Sequence, residues 1–124
     1  MRSEQAAPEP PLHLGGTTAV VLDVDGTIAG ADNLVSPRTR AVMLDLEEQG
    51  VPVVVATGRT RDSVLEILGQ TGLRTPGVSC NGALVTDPVS GRDLRKQTMD
   101  PADVEAMVRV FPGNPSARRA LAGL

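Results

Sequence analysis

The stretch Ala19-Val20-Val21-Leu22-Asp23-Val24-Asp25-Gly26-Thr27 sets an apolar run against two carboxylates one residue apart. Side chains alternate along an extended strand, so Asp23 and Asp25 share one face while Val24 turns into the core. Like charges held that close gain little unless a cation or a shared proton relieves them. Gly26 allows a sharp turn, and Thr27 adds a hydroxyl. The unit reads as a nucleophile and an acid/base partner presented at the carboxyl end of a strand. The same residues also suit a strand that simply ends in a polar turn.

Working outward, residues 17–23 form the first buried strand. Ser36 before Pro37 is an N-cap followed by proline at the first helical position, and it predicts a helix over Arg38 to Gln49. Val42, Met43 and Leu46 mark its apolar face, and Gly50 closes it. Pro52 to Ala56 is a second buried strand, ending in Thr57-Gly58-Arg59. A second helix is expected from about Thr60 to Gln70, burying Val64, Leu65 and Leu68 and ending at Gly72. Gly77 to Cys80 is a short third strand leading into Asn81-Gly82. Strand, helix, strand, helix, strand with apolar strands is the pattern of a parallel sheet with crossover helices. In such sheets ligands gather beyond the carboxyl ends of the strands. Asp23, Asp25, Thr57, Gly58 and Asn81 all fall at those ends.

After Gly82 the texture changes. Ala83 to Thr86 and Asp93 to Thr98 flank the turn-rich Asp87-Pro88-Val89-Ser90-Gly91, and they read as a hairpin. Asp100-Pro101 signals another helix start, with Val104, Met107 and Val108 as its apolar face. Phe111-Pro112-Gly113-Asn114-Pro115 then breaks the pattern, and the remainder is expected to be an irregular tail.

Composition narrows the function classes. The chain has 124 residues, a net charge of -3 and 40% hydrophobic residues, which bounds it to one ordinary domain at most. No basic excess is present to attract nucleic acid or an anionic membrane. No apolar run approaches the roughly 20 residues that span a bilayer. The opening 1–16, rich in Pro, Ala and Glu, reads as a disordered leader in which His13 is exposed. The single cysteine, Cys80, excludes an internal disulfide and fits a reducing cytoplasm. No base is placed near it in sequence, so it reads as a small core side chain. Arg118 and Arg119 read as a solvated tail. Phe111 is the only aromatic residue and Lys96 the only lysine.

Thr57-Gly58-Arg59 brings a hydroxyl, a permissive glycine and a cation to the start of a helix. Helix N-termini offer free N–H groups and a positive dipole end, which suit a phosphate. Thr57 acting only as a helix cap is the alternative. Together the two corners point to phosphoryl transfer. Asp23 would attack phosphorus, and Asp25 would protonate the leaving oxygen and later activate water. Magnesium would bridge Asp23, the Asp25 backbone carbonyl and the phosphate. Thr57 and Gly58 would hold the non-bridging oxygens.

On these residues the chain resembles the haloacid dehalogenase superfamily, specifically its Cof-type phosphatases. Asp23 to Thr27 is similar to the first motif of that family, and Ala56-Thr57-Gly58-Arg59 to the second. Ser79-Cys80-Asn81-Gly82-Ala83 resembles the entry to its cap, and Val35-Ser36-Pro37-Arg38-Thr39 its linker. The resemblance implies an α/β fold: an incomplete Rossmann-like parallel sheet with the beginning of an α/β cap. It divides the chain into a leader (1–16), a partial phosphatase core (17–82), a partial cap (83–111) and a tail (112–124). It implies Asp23 as nucleophile and Asp25 as acid/base, both at a Mg2+ site. Gly26, Thr27, Thr57 and Gly58 would bind phosphate, while Arg59, Asn81 and Gly82 would touch a small phosphorylated metabolite.

The resemblance also implies two further motifs, a lysine and an acidic pair that completes the magnesium site. Lys96 falls in the hairpin and matches neither, and no acidic pair follows Glu105. Losing one preorganised charge partner costs roughly 3–4 kcal/mol of barrier, two to three decades in rate. The expectation is therefore a truncated or frame-disrupted product of impaired activity, with it left open whether residues 112–124 are native sequence. The unpaired edge of the first strand invites self-association or pairing with a missing C-terminal half. The rival readings are a catalytically silent fragment that binds phosphate or a partner chain, and a phosphomutase of the same superfamily.

Overall fold

Two three-residue strands carry the site. In the computed structural model, which describes residue 16, residues 18–116 and residue 119, β1 (Val20–Leu22) pairs in parallel with β2 (Val53–Val55). Valine and leucine dominate both strands, as expected where β-branched side chains pack on a pleated surface. Between them α1 (Pro37–Glu48) forms the crossover, and α2 (Arg61–Thr71) leads from β2 to β3 (Gly77–Ser79). The fold is thus α/β, as the alternation predicts. The first strand is shorter than expected: Thr18 and Ala19 lie outside β1, and Thr17, like residues 1–15 of the leader with His13, lies outside the described residues.

β3 departs further from the expectation. It joins β2 through a single parallel bridge, Ala56 to Val78, with the Thr57 N–H donating to the Val78 carbonyl at 3.1 Å. Its other edge pairs antiparallel with β4 (Leu84–Thr86), which pairs with β5 (Asp93–Lys96). The parallel sheet therefore gives way at its third strand to an antiparallel sheet of three. The hairpin expected around Asp87 is present. The Asp87 carboxylate accepts from the Val89 amide and the Ser90 hydroxyl, a local competition for backbone donors that fixes the turn. Arg61 ties this hairpin to α2 by donating to Asp93 at 2.8 Å and to the Gly91 carbonyl.

The Ser36 hydroxyl accepts from the Thr39 amide at 3.1 Å, capping α1 where the sequence places the cap. Met43 and Leu46 are buried, but Val42 is exposed beside a groove that α1 forms with β1. On α2 the buried residues are Val64, Ile67, Leu68 and Thr71. That is the i, i+3, i+4, i+7 stripe of one helix face, so Ile67 takes the core position expected for Leu65. α2 lies directly on β3 at Gly77, where a Cβ would sit 2.7 Å from Val64 Cγ1 and 2.8 Å from Leu68 Cδ1.

α3 (Pro101–Val110) starts as expected, with the Asp100 carboxylate accepting from the Ala102 amide at 2.8 Å. It has no buried residue. Val104 and Val108 are half-buried and Met107 is exposed. Beyond it Pro115, Ser116 and Arg119 are helical rather than irregular. The Asn114 side chain accepts from the Ser116 amide, and Pro115 stands at the first helical position, so a new helix start explains the difference. Arg118 lies outside the described residues. Among the described residues no helix is long and apolar enough to cross a membrane.

Candidate active site

β1 ends at Leu22, and the chain turns at once. The Val24 carbonyl accepts from the amides of Thr27, Ile28 and Ala29 at 3.2, 3.1 and 3.0 Å. Asp23 and Asp25 are exposed, while Val24 is fully buried. The two carboxylates thus face away from the core as expected, although a turn rather than a continued strand presents them. Asp23 Oδ1 accepts from the Val24 amide at 2.8 Å, which orients the carboxylate at the end of β1.

A cleft of about 480 Å³ opens where β1, β2 and β3 end, lined by Asp23, Ala56, Thr57, Gly58, Val78, Asn81 and Gly82. Five residues singled out from the sequence therefore meet in one place. Thr57 is buried, and its hydroxyl accepts from the Arg59 amide at 3.3 Å. It does not cap α2, whose N-cap residue is Thr60. Cys80, Asn81 and Gly82 all have positive φ (51°, 54° and 96°), which ends β3 abruptly. The Cys80 and Asn81 amides donate to the Arg59 and Thr57 carbonyls at 2.8 and 3.2 Å. These bonds lash the turn after β3 to the turn after β2. A Cβ at position 58 would lie 2.7 Å from Asn81 Oδ1, so glycine is what lets the two turns close.

Four singled-out residues do not line the cleft. The Gly26 amide donates to the Ala29 carbonyl and the Thr27 amide to Val24, so both backbone donors are spent within the turn. Thr27 instead lines the apolar groove beneath α1. Arg59 forms a forked pair with Asp25, Nε donating to Oδ2 at 2.9 Å and a terminal nitrogen to Oδ1 at 2.5 Å. That hydrogen bond holds the Asp25 carboxyl below its ordinary range and raises the Arg59 guanidinium above its own. The other terminal nitrogen donates to Asn33 Oδ1 and to Ser63 Oγ.

Asn33 escapes the sequence reading because its partner Arg59 is 26 residues away, and Ser63, four residues from Arg59, carries no motif of its own. Among the described residues no three His, Cys, Asp or Glu side chains group as a metal site. Magnesium is usually held by one or two carboxylates, with waters and substrate phosphate completing the octahedron. Asp23 and a backbone carbonyl fit that minimal donor set, whereas the Asp25 carboxylate is engaged by Arg59.

Sheet, crossover helices and a carboxylate-bearing cleft at the strand ends make an α/β core with a candidate site at its carboxyl edge. The chain belongs to the haloacid dehalogenase-like hydrolase family, which matches residues 20–119. It is similar to the phosphatase YwpJ of Bacillus subtilis, 33% identical over 81 residues that cover 65% of this chain and 28% of that protein. A putative phosphatase of Haemophilus influenzae is 40% identical over 70 residues, covering 56% of this chain and 26% of that one. Among solved structures, a haloacid dehalogenase-like hydrolase from B. subtilis superposes with a TM-score of 0.69 at 28% identity, covering 77% of this chain and 33% of that chain. The chain spans about a third or less of the length of these relatives.

Proposed function

We propose that the cleft binds the phosphate of a small phosphorylated metabolite and is the core of a Cof-type, Mg2+-dependent phosphatase site. The observation that carries this reading is the meeting of Asp23, Thr57, Gly58 and Asn81 around one cleft at the ends of three strands. Asp23 attacks phosphorus and forms an aspartyl-phosphate while the leaving oxygen departs. Asp25 supplies that oxygen with a proton and then takes one from the water that cleaves the acyl phosphate. Thr57 and Gly58 hold the non-bridging oxygens, and Asn81 with Gly82 faces the organic part. Asp23 and the Asp25 backbone carbonyl would hold Mg2+, which when bound offsets the charge of carboxylate and phosphate. The single cysteine supports a cytoplasmic setting.

A second reading, a catalytically silent chain that binds phosphate or a partner, is favoured by the Arg59–Asp25 pair. Arg59 keeps Asp25 ionised, which suits taking a proton from water and opposes giving one to a leaving group. Lys96, the only lysine, stands on β5 and not in the cleft lining. This reading proposes a partner, a second copy or another chain, along the open edge of β1. Magnesium-dependent phosphate release from a panel of small phosphate esters tests the proposal, with Asp23→Asn as control. Release that this change abolishes supports the phosphatase reading. Release equal in both proteins, or absent from both, leaves the silent reading standing.

A further inference from the structure

Both ends of α2 grip the same tight turn. Asn33 has a φ of +64°, and its amide donates to the Gly30 carbonyl at 3.0 Å. From the N-terminal side of α2, Arg59 donates to Asn33 Oδ1. From the last turn, the Gln70 carboxamide makes a reciprocal pair with the same segment. Its Nε2 donates to the Asn33 carbonyl at 3.0 Å, and its Oε1 accepts from the Val35 amide at 2.9 Å. Ser63, one turn into α2, accepts from the Arg59 nitrogen that Asn33 engages. That leaves the Nε edge of the guanidinium as the fork facing Asp25.

This geometry satisfies both functions of the Gln70 amide on backbone groups and gives Arg59 acceptors on two sides. A guanidinium is planar, so fixing one edge fixes the direction of the other. We propose that Asn33 and Gln70 are positioning residues: they clamp the 33–35 turn to α2 and thereby aim Arg59 at Asp25. The inference rests on the phosphatase reading for its catalytic consequence, because Asp25 is the acid/base group there. The clamp itself is independent of that reading.

Asn33→Gly is the sharp test, because glycine tolerates the positive φ and removes only the side-chain acceptor. Asn33→Asp restores an acceptor. Gln70→Glu keeps the acceptor for Val35 and loses the donor to Asn33. The readout is solvent exchange of the Arg59 Nε–H by nitrogen-15 NMR on the whole chain, beside the thermal midpoint. The expected result is exchange faster by roughly tenfold in Asn33→Gly and Gln70→Glu, reversed in Asn33→Asp. Exchange unchanged in a folded Asn33→Gly or Gln70→Glu protein overturns the clamp. If the parent chain releases phosphate, kcat should fall in Asn33→Gly with KM held. If it releases none, the phosphatase reading fails while the exchange comparison still decides the clamp.

Discussion

Residues 20–79 and residues 84–110 are built of the same kinds of element, yet only the first set closes on itself. Among the described residues, every buried apolar side chain lies between Val24 and Leu73, in one cluster under α1 and α2. The hairpin contributes one buried side chain, Thr86, and α3 contributes none. Secondary structure needs only local signals, namely caps, turns and propensity. A core needs two apolar faces that meet. The second region has the signals and, among the described residues, lacks a facing surface.

The largest expected effect tests that contrast directly. Ile67 is fully buried, so Ile67→Ala should cost about 2–5 kcal/mol, counting transfer and cavity together. Met107 is 51% exposed, and Met107→Ala should stay within about 0.5 kcal/mol. Urea denaturation of both variants decides the matter. A Met107→Ala loss comparable with that of Ile67→Ala would mean that α3 is covered in solution. Next in size is Gly77→Ala. Its new methyl meets Val64 and Leu68 on α2, an overpacking of about 1–3 kcal/mol. The same assay reads it, and a neutral result would show that α2 rides further from β3.

A third comparison uses the two well-formed caps. Ser36→Ala and Asp100→Ala each remove a side-chain acceptor from a helix start, worth about 1 kcal/mol to the helix. The Ser36 loss should appear in the global unfolding midpoint, because α1 belongs to the cooperative core. The Asp100 loss should appear as lower helical circular dichroism with the midpoint unmoved. Matching shifts in both midpoints would join α3 to the cooperative unit.

These pairs also explain what the sequence could and could not disclose. Ser36-Pro37 and Asp100-Pro101 are legible because a cap acts within three residues. Asp23, Thr57 and Asn81 are legible because strand ends gather at one side of a parallel sheet. The sequence places Arg59 at the substrate, and in the structure its guanidinium pairs with Asp25. Nothing local separates those two fates, since the choice depends on a carboxylate brought close by the pairing of β1 with β2. The exposure of α3 is illegible for the converse reason. Val104, Met107 and Val108 mark an apolar face, but periodicity says nothing about whether another surface meets it.

The smallest effect concerns acid, and its sign follows from the carboxylates. Asp25 is held below its ordinary range chiefly by the Arg59 hydrogen bond, and Asp93 chiefly by the Arg61 hydrogen bond with help from Thr86. A carboxyl depressed in the folded state stabilises the fold fully above its unfolded value, about 3.9. That contribution is lost as pH falls through the depressed folded value. Both pairs should therefore be intact at neutral pH and fail below about pH 4. The consequences differ by region. Protonating Asp25 frees Arg59 but leaves the cluster beneath α1 and α2 untouched. Protonating Asp93 weakens one of the two Arg61 contacts that tie the hairpin to α2, in a region outside the apolar cluster. Amide exchange followed from pH 7 to pH 3 should thus show β4 and β5 losing protection before β2. Asp93→Asn should produce that early loss at neutral pH, while Asp25→Asn should not. Simultaneous loss in β2 and β4 would mean that the hairpin and the core form one cooperative unit, and the contrast between the two regions would fail.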